Sequence, residues 1–453
     1  MTSTTSQPAV ATALRAAVRG EVLVAADPAY DGARRVWNGL VDRYPAVIAR
    51  CVDTADVAAA VRAAREHDLP LSVRGGGHDW GGRAVREGGV LIDLSELRGT
   101  TVDRTARTAS VRGGTLAGGV ATAVHEHGFH AVTGTAKAVG IAGLTMGGGY
   151  GPFVGNHGLA LDNLLGAEVV LADGGVVTAS ESENADLFWA LRGGGGNFGV
   201  ATTLTYRVHP GPIVLSGMAL FPLAQAETVL RGYREILAEA PDELSVIGGF
   251  FSGPDGSPLV MLYPTWSGVD LAAGEPWLRR IDGLGTPVYA QLGPMATPDV
   301  LGMLDPFIVD GRHNAVPTRW VPAPTEEVCA VLADAAGRAT SPMSSLTLHH
   351  FHGAATRVPV ASTAYGLRSE HLLVEIISTW DSADRADAHR QWAHDLATAL
   401  DEHALPGGYP NLLGPDDHER TRAAFGENLA KLLSLKKTLD PDGVFAAVPT
   451  LTV

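Results

Sequence analysis

The densest chemical signal in this chain is Val73-Arg74-Gly75-Gly76-Gly77-His78-Asp79, directly after a short apolar run. Three consecutive residues without Cβ let successive backbone N–H groups converge on an anion, and Arg74 sets a fork of donors beside them. A pyrophosphate is the group such a loop would take, although a glycine triplet alone also makes a plain flexible turn. The run is neither Gly-x-Gly-x-x-Gly nor the lysine-containing phosphate loop, which weighs against nicotinamide and ATP. A second run, Val139-Gly140-Ile141-Ala142-Gly143-Leu144-Thr145-Met146-Gly147-Gly148-Gly149-Tyr150-Gly151, alternates glycine with apolar residues, and a third spans residues 192–200. Three loops where backbone must approach something flat imply one long ligand with a phosphate centre and an aromatic end. A dinucleotide flavin has that shape.

A second group is Leu348-His349-His350-Phe351-His352. Strand alternation puts His350 and His352 on one face and His349 on the other, and a one-residue slip would exchange the faces. Either one imidazole or a facing pair could work on a substrate; ordinary strand or pocket-lining histidines are the alternative. Adjacent strand residues point apart and no carboxylate stands nearby in sequence, so no metal is expected. His125, His127 and His130 fall near a helix end and read as solvated or dipole-satisfying. Tyr263 and Tyr365 are candidates to line a pocket.

The elements that must carry these groups follow from periodicity. From about residue 43, strand and helix signals alternate: an apolar run at 46–51, a helix capped by Asp53 or Thr54, extended segments at 69–73, 89–93 and 109–111, and a helix from Leu116 to His127 closed by Gly128. A hairpin is expected around Asp173-Gly174-Gly175. Beyond His209-Pro210 the strands at 214–221, 244–251, 259–263, 346–351 and 372–380 are separated by helices at about 223–239, 324–338 and 384–404, which predicts a mostly antiparallel sheet with helices on one face. One helix is expected over residues 419–439. The 55 glycines exceed a background of ~7% without any Gly-X-Y period, so collagen-like and disordered classes are excluded. A net charge of −15 argues against nucleic acid as a partner. Two distant cysteines argue against a disulfide framework, and no apolar run has membrane or signal-peptide character, so a cytoplasmic chain without membrane contact is expected.

Arg74 to His78, the run ending at Gly151, the stretch from Asn156 to Asn163 and the segment Asp186 to Gly199 resemble the FAD-linked oxidases of the berberine bridge enzyme-like group, within the vanillyl-alcohol oxidase fold. The tail is similar too, through Tyr409-Pro410-Asn411, Phe425 to Asn428 and Leu433 to Phe445. The resemblance implies an α+β fold with a PCMH-type FAD-binding domain at 1–208, a substrate domain at 209–405, and a segment at 406–453 that returns to the first. It implies FAD attached through the 8α-methyl carbon to His78, with Arg74, Gly75, Gly76, Gly77, Asp79, Gly134, Val139, Gly140, Gly143, Gly148, Gly149, Gly151, Asn156, Val200 and Asn411 around the cofactor. Relatives with a second link carry Cys in Gly-x-Cys-Pro; here Gly134-Thr135-Ala136-Lys137 places Ala136 there, so a single link is expected. Val139 falls at the position associated with dioxygen access. The implied reaction is oxidation of an alcohol, amine or phenolic natural product with O2 giving H2O2. Alternatives are an O2-independent dehydrogenase, a flavin–oxygen-adduct oxygenase, a reductase fed by nicotinamide and a non-catalytic flavin-binding protein. Relatives hold a Glu or Tyr as base on the substrate-domain sheet, and His349 aligns with it; His349, His352, Tyr409 and Asn411 are the catalytic candidates.

Overall fold

The apolar runs near the start pair as their spacing suggests. In the computed structural model, which describes residues 6–449 and 451, Val47–Arg50, Val90–Asp93 and Leu71–Arg74 are parallel neighbours, with Val22–Leu23 antiparallel at one edge. The start of the Thr/Ser-rich lead, residues 1–5, lies outside the described residues. Parallel strands need a crossover, and the helix Thr54–Glu66 supplies it. The Asp53 carboxylate caps this helix by accepting the Asp56 N–H at 2.9 Å. Its buried Val57, Ala60, Val61 and Ala64 pack on Val47, Leu71 and Val90. Leu71–Arg74 therefore delivers residues 75–78 at its carboxyl end, where open α/β sheets take ligands.

A five-stranded antiparallel sheet follows, in the order Thr100–Asp103, Thr108–Arg112, Val200–Arg207, Leu164–Val170, Val176–Ser180. The last two form the expected hairpin. The helix Ala117–His125 packs Val120, Ala121 and Val124 into the same core as Ala109, Val111 and Leu204.

The third sheet has eight strands, ordered Tyr289–Ala296, Ile213–Pro222, Pro258–Trp266, Leu244–Ser252, Ser345–Phe351, His371–Trp380 and His313–Ala315, with Thr318–Val321 also paired to His371–Trp380. The helices Ala226–Glu239, Glu326–Gly337 and Ala386–Ala399 bury Val229, Ile236, Leu332 and Leu396 in one core with Leu346, Leu348, Val374 and Ile376. Successive strand residues alternate faces, so Thr347, His349 and Glu375 must turn the other way. The chain is thus α+β, with a large antiparallel sheet whose second face is turned inward.

Two expectations change. Residues 139–151 are not all loop, because Ile141–Gly147 is a helix. The single helix over 419–439 is two, His418–Phe425 and Leu429–Leu439, broken where Gly426 takes φ 49°, a left-handed conformation that ends a helix readily.

Candidate active site

A cavity of about 360 Å³ opens between the glycine runs and the inward face of the large sheet. Gly75, Gly76, Gly77, His78 and Asp79 line one side. Among the described residues, none of their N–H groups meets an acceptor. The first and second runs touch backbone to backbone: a Cβ on Gly76 would lie 2.2 Å from the Gly140 nitrogen. A Cβ on Gly75 would come no closer than 3.7 Å to another residue, and one on Gly143 would meet nothing within 4 Å. Gly134, Ala136, Val139, Gly140, Gly143 and Val200 also line the cavity, with the tail residues Phe445 to Val448 closing it. That tail is pinned to the third run by Lys436, which donates to the Asn197 and Phe445 carbonyls at 2.8 and 2.6 Å. The His78 ring stacks on Trp37, with centroids 5.4 Å apart and planes 14° apart. Burial pushes the His78 imidazole down to about 4 against the opposing pull of Asp310, so it is neutral at pH 7.

The opposite wall carries titratable and hydroxyl groups. Thr347 and Glu375 are cross-strand partners, and the threonine hydroxyl donates to Oε2 of Glu375 at 3.0 Å. His349 Nε2 stands 3.5 Å from the same oxygen, and both of its ring nitrogens lack a hydrogen-bond partner among the described residues. Burial alone would raise the Glu375 carboxyl, but His349 and Thr347 together outweigh it and hold it below the usual carboxylate range. Tyr409 Oη accepts the Gly149 N–H at 2.7 Å and an Asn411 Nδ2 hydrogen at 3.0 Å. Asn411 Nδ2 also donates to the Leu144 carbonyl at 2.8 Å, which fixes the orientation of the amide. Both lone pairs of the phenol are therefore occupied, and its own proton is what it can offer. Burial, only partly offset by those two donors, raises Tyr409 to about 12, so it stays protonated.

Behind this wall the donors run in one direction. His371 Nδ1 must donate to the Ser369 carbonyl at 2.7 Å, because a carbonyl only accepts. Burial lowers His371 to about 4, so its Nε2 is a free lone pair and accepts the Tyr150 hydroxyl at 2.6 Å. Tyr150 in turn accepts from Tyr365 at 2.8 Å. The Tyr150 ring is thereby held edge-on to Tyr409 and His349.

Several expected site residues lie elsewhere. Arg74 faces the buried Asp93 in register and gives it bonds of 2.6 and 3.3 Å, with Nη1 donating to the Ala33 and Arg35 carbonyls, so it has no two-pronged fork left for a phosphate. His352 is on the face opposite His349; it stacks on His350 at 4.3 Å, meets Ser245 Oγ at 3.3 Å and does not line the cavity. His350 instead reaches Glu370 at 2.8 Å. Asn156 donates to the Ser267 carbonyl and hydroxyl. Gly148, Gly149 and Gly151 pack one layer behind; at Gly148, with φ 152°, a Cβ would lie 2.6 Å from the Tyr409 ring. Tyr263 is spent on the Val300 carbonyl, and Tyr365 stands behind Tyr150. His130 is neither solvated nor at a helix end: it is buried between Phe153, His157 and His209. Sequence reading missed Glu375, Thr347, Tyr150 and Trp37. A carboxylate inside the apolar run 372–377 was the available signal for Glu375.

The residues fit a dinucleotide flavin. Five adjacent backbone donors without acceptors suit a pyrophosphate, and glycine walls leave room for flat rings. A family model for an FAD binding domain matches residues 45–180, and one for berberine and berberine-like proteins matches residues 408–448. The FAD-linked oxidoreductase aurO of Gibberella zeae is 29% identical over 436 residues, covering 94% of this chain and 85% of that protein. The structure of 6-hydroxy-D-nicotine oxidase from Arthrobacter nicotinovorans superposes with a TM-score of 0.86 at 27% identity, covering 94% of this chain and 96% of the other. Glucooligosaccharide oxidase from Acremonium strictum, described with a 6-S-cysteinyl, 8α-N1-histidyl FAD, gives 0.85 at 25% identity, covering 97% and 98%. Among the described residues, no helix is long and apolar enough to cross a membrane.

Proposed function

This chain belongs to the berberine bridge enzyme-like FAD-linked oxidases, and from that premise we propose that it holds FAD by one covalent bond to His78 and oxidises a largely apolar alcohol or amine with dioxygen as acceptor. The observation that carries the reading is a neutral imidazole on the wall of a cavity whose far side presents a buried carboxylate. A neutral nitrogen is the form that can bond to carbon, and the related histidyl-FAD oxidase supports the same residue type in that role. Ala136 sits on the cavity wall where a second link would need a thiol, which supports a single attachment. Residues 1–208 with 406–453 would then hold the cofactor and 209–405 would cover it.

Bound FAD supplies a two-electron acceptor that dioxygen reoxidises, with peroxide as the product. The carboxylate of Glu375, kept ionised by Thr347 and His349, takes the O–H or N–H proton as hydride leaves the adjacent carbon. The Tyr409 hydroxyl would donate a hydrogen bond to the substrate heteroatom. Val139, small and on the cavity wall, leaves a path for dioxygen. Phe251, Leu304, Phe307, Ile308, Val316 and Met343 make the remaining substrate wall apolar, with Phe251 and Phe307 rings 4.7 Å apart. That wall favours a substrate with one oxidisable polar carbon on an apolar body over an oligosaccharide, whose many hydroxyls would go unpaired there.

Anaerobic mixing of the yellow protein with panels of apolar alcohols and amines should bleach the flavin, and air should restore it. Bleaching by oligosaccharides alone would reject the substrate class. Acid-denatured wild type should keep flavin on the His78 peptide by mass, and His78→Ala should release it.

A further inference from the structure

Trp37 carries no motif, yet its chain segment is built as a strap between the loop bearing His78 and the turn at Gly311. The Trp37 N–H donates to the Gly77 carbonyl at 3.1 Å, and its own carbonyl accepts the Gly311 N–H at 2.9 Å. Asn38 next to it donates to the Trp80 and Asn314 carbonyls at 2.8 and 2.9 Å and accepts the Asn314 N–H at 2.9 Å. Gly39 donates to the Arg312 carbonyl at 2.8 Å, and a Cβ there would lie 2.1 Å from the Gly311 oxygen. A strap fixed at this many points anchors the backbone that carries the indole, which lies nearly parallel to the His78 ring on the same cavity wall. Its Nε1–H is buried and has no acceptor among the described residues, so no hydrogen bond within the protein explains why a tryptophan stands there.

We propose that Trp37 is a positioning residue for covalent flavin attachment: its indole face restricts rotation of the His78 imidazole and keeps a ring nitrogen aimed at the 8α-methyl carbon. This rests on His78 being the attachment point. The overall step forms one N–C bond while an imidazole N–H and a methyl C–H are lost; two electrons pass to the flavin and on to dioxygen, which leaves as hydrogen peroxide with both protons. Orientation of a reacting pair is worth large factors in rate, and the glycine triplet before the histidine has no side chain to supply it.

The test follows attachment rather than turnover. Full-length chain produced under flavin limitation is given FAD in air, samples are denatured over time, and flavin fluorescence of the polypeptide and the mass of the His78 peptide are read. Trp37→Leu, which keeps apolar volume but no ring, should bind FAD and attach it ~10-fold or more slowly. Trp37→Phe, which keeps a ring face, should stay within about threefold of wild type. Equal rates for Leu, Phe and wild type would overturn the proposal. So would a Phe variant that binds FAD normally but attaches it as slowly as His78→Ala. A wild-type chain that carries no flavin after denaturation would instead remove the attachment at His78 itself, a separate result.

Discussion

At the residue scale the site divides labour by which lone pairs are free. Tyr409 has none left after Gly149 and Asn411 donate to it, so its hydroxyl can only donate a hydrogen bond; Glu375 is held below the usual carboxylate range, which suits the proton-accepting role proposed for it. Glu375→Gln should therefore retain FAD and fold normally but lose ~10²–10⁴ in turnover, measured as the rate of anaerobic flavin reduction. An unchanged rate would transfer the base role to His349. Thr347→Val removes one donor to the carboxylate and should shift the acid limb of the reduction rate to higher pH, because a donor to the charged form lowers the pKa. An acid limb that does not move would mean that His349 alone sets the ionisation.

At the element scale, alternation along Ser345–Phe351 separates stability from chemistry. Leu348 is fully buried against the helices, so Leu348→Ala should cost about 2–5 kcal/mol in denaturant unfolding with little effect on flavin reduction, the reverse of Thr347→Val. Equal stability losses would mean that the face assignment is wrong. The small sheet joining Phe129–His130 to His209–Pro210 holds a different device. His157 stacks on His209 at 3.7 Å, with His130 beside both, and burial lowers His130, His157 and His209 to about 4, 2 and 3. Above the unfolded histidine pKa of about 6.5 neither state binds protons there; below it the unfolded chain does and the native cluster does not, so stability falls as pH drops from 6.5 towards 4. His130→Phe should make that fall shallower, read as unfolding free energy at pH 7.5, 6 and 5. An identical slope would place the acid sensitivity elsewhere. The strands 214–221 and 346–351 and the hairpin at Asp173 were legible because their patterns are local, whereas Thr318–Val321 and Tyr289–Ala296 carried too little alternation to be noticed.

At the scale of the whole molecule, the two sides of the cavity are joined by buried polar clasps. Arg368 gives Asp162 two bonds of 2.9 Å and a third of 2.9 Å to Thr363, all within the interior. Arg368→Met strands a buried carboxylate and should cost about 3–5 kcal/mol, most of which Asp162→Asn on the same chain should restore. A double mutant as unstable as the single one would show that packing of the arginine, not its charge, holds the halves together. By itself the sequence pointed to the cofactor, since each glycine run, the one ending at His78 included, and each part of the tail motif is a contiguous stretch, and residues adjacent in the chain stay adjacent in any fold. Only the tertiary structure brought together the groups proposed to move protons. Thr347 and Glu375 meet through strand register, Arg74 is claimed by Asp93 through strand register, and Trp37 reaches His78 through a strap tied at both ends. Register and long-range hydrogen bonds set which way a side chain faces, and neither is written in any short stretch of residues.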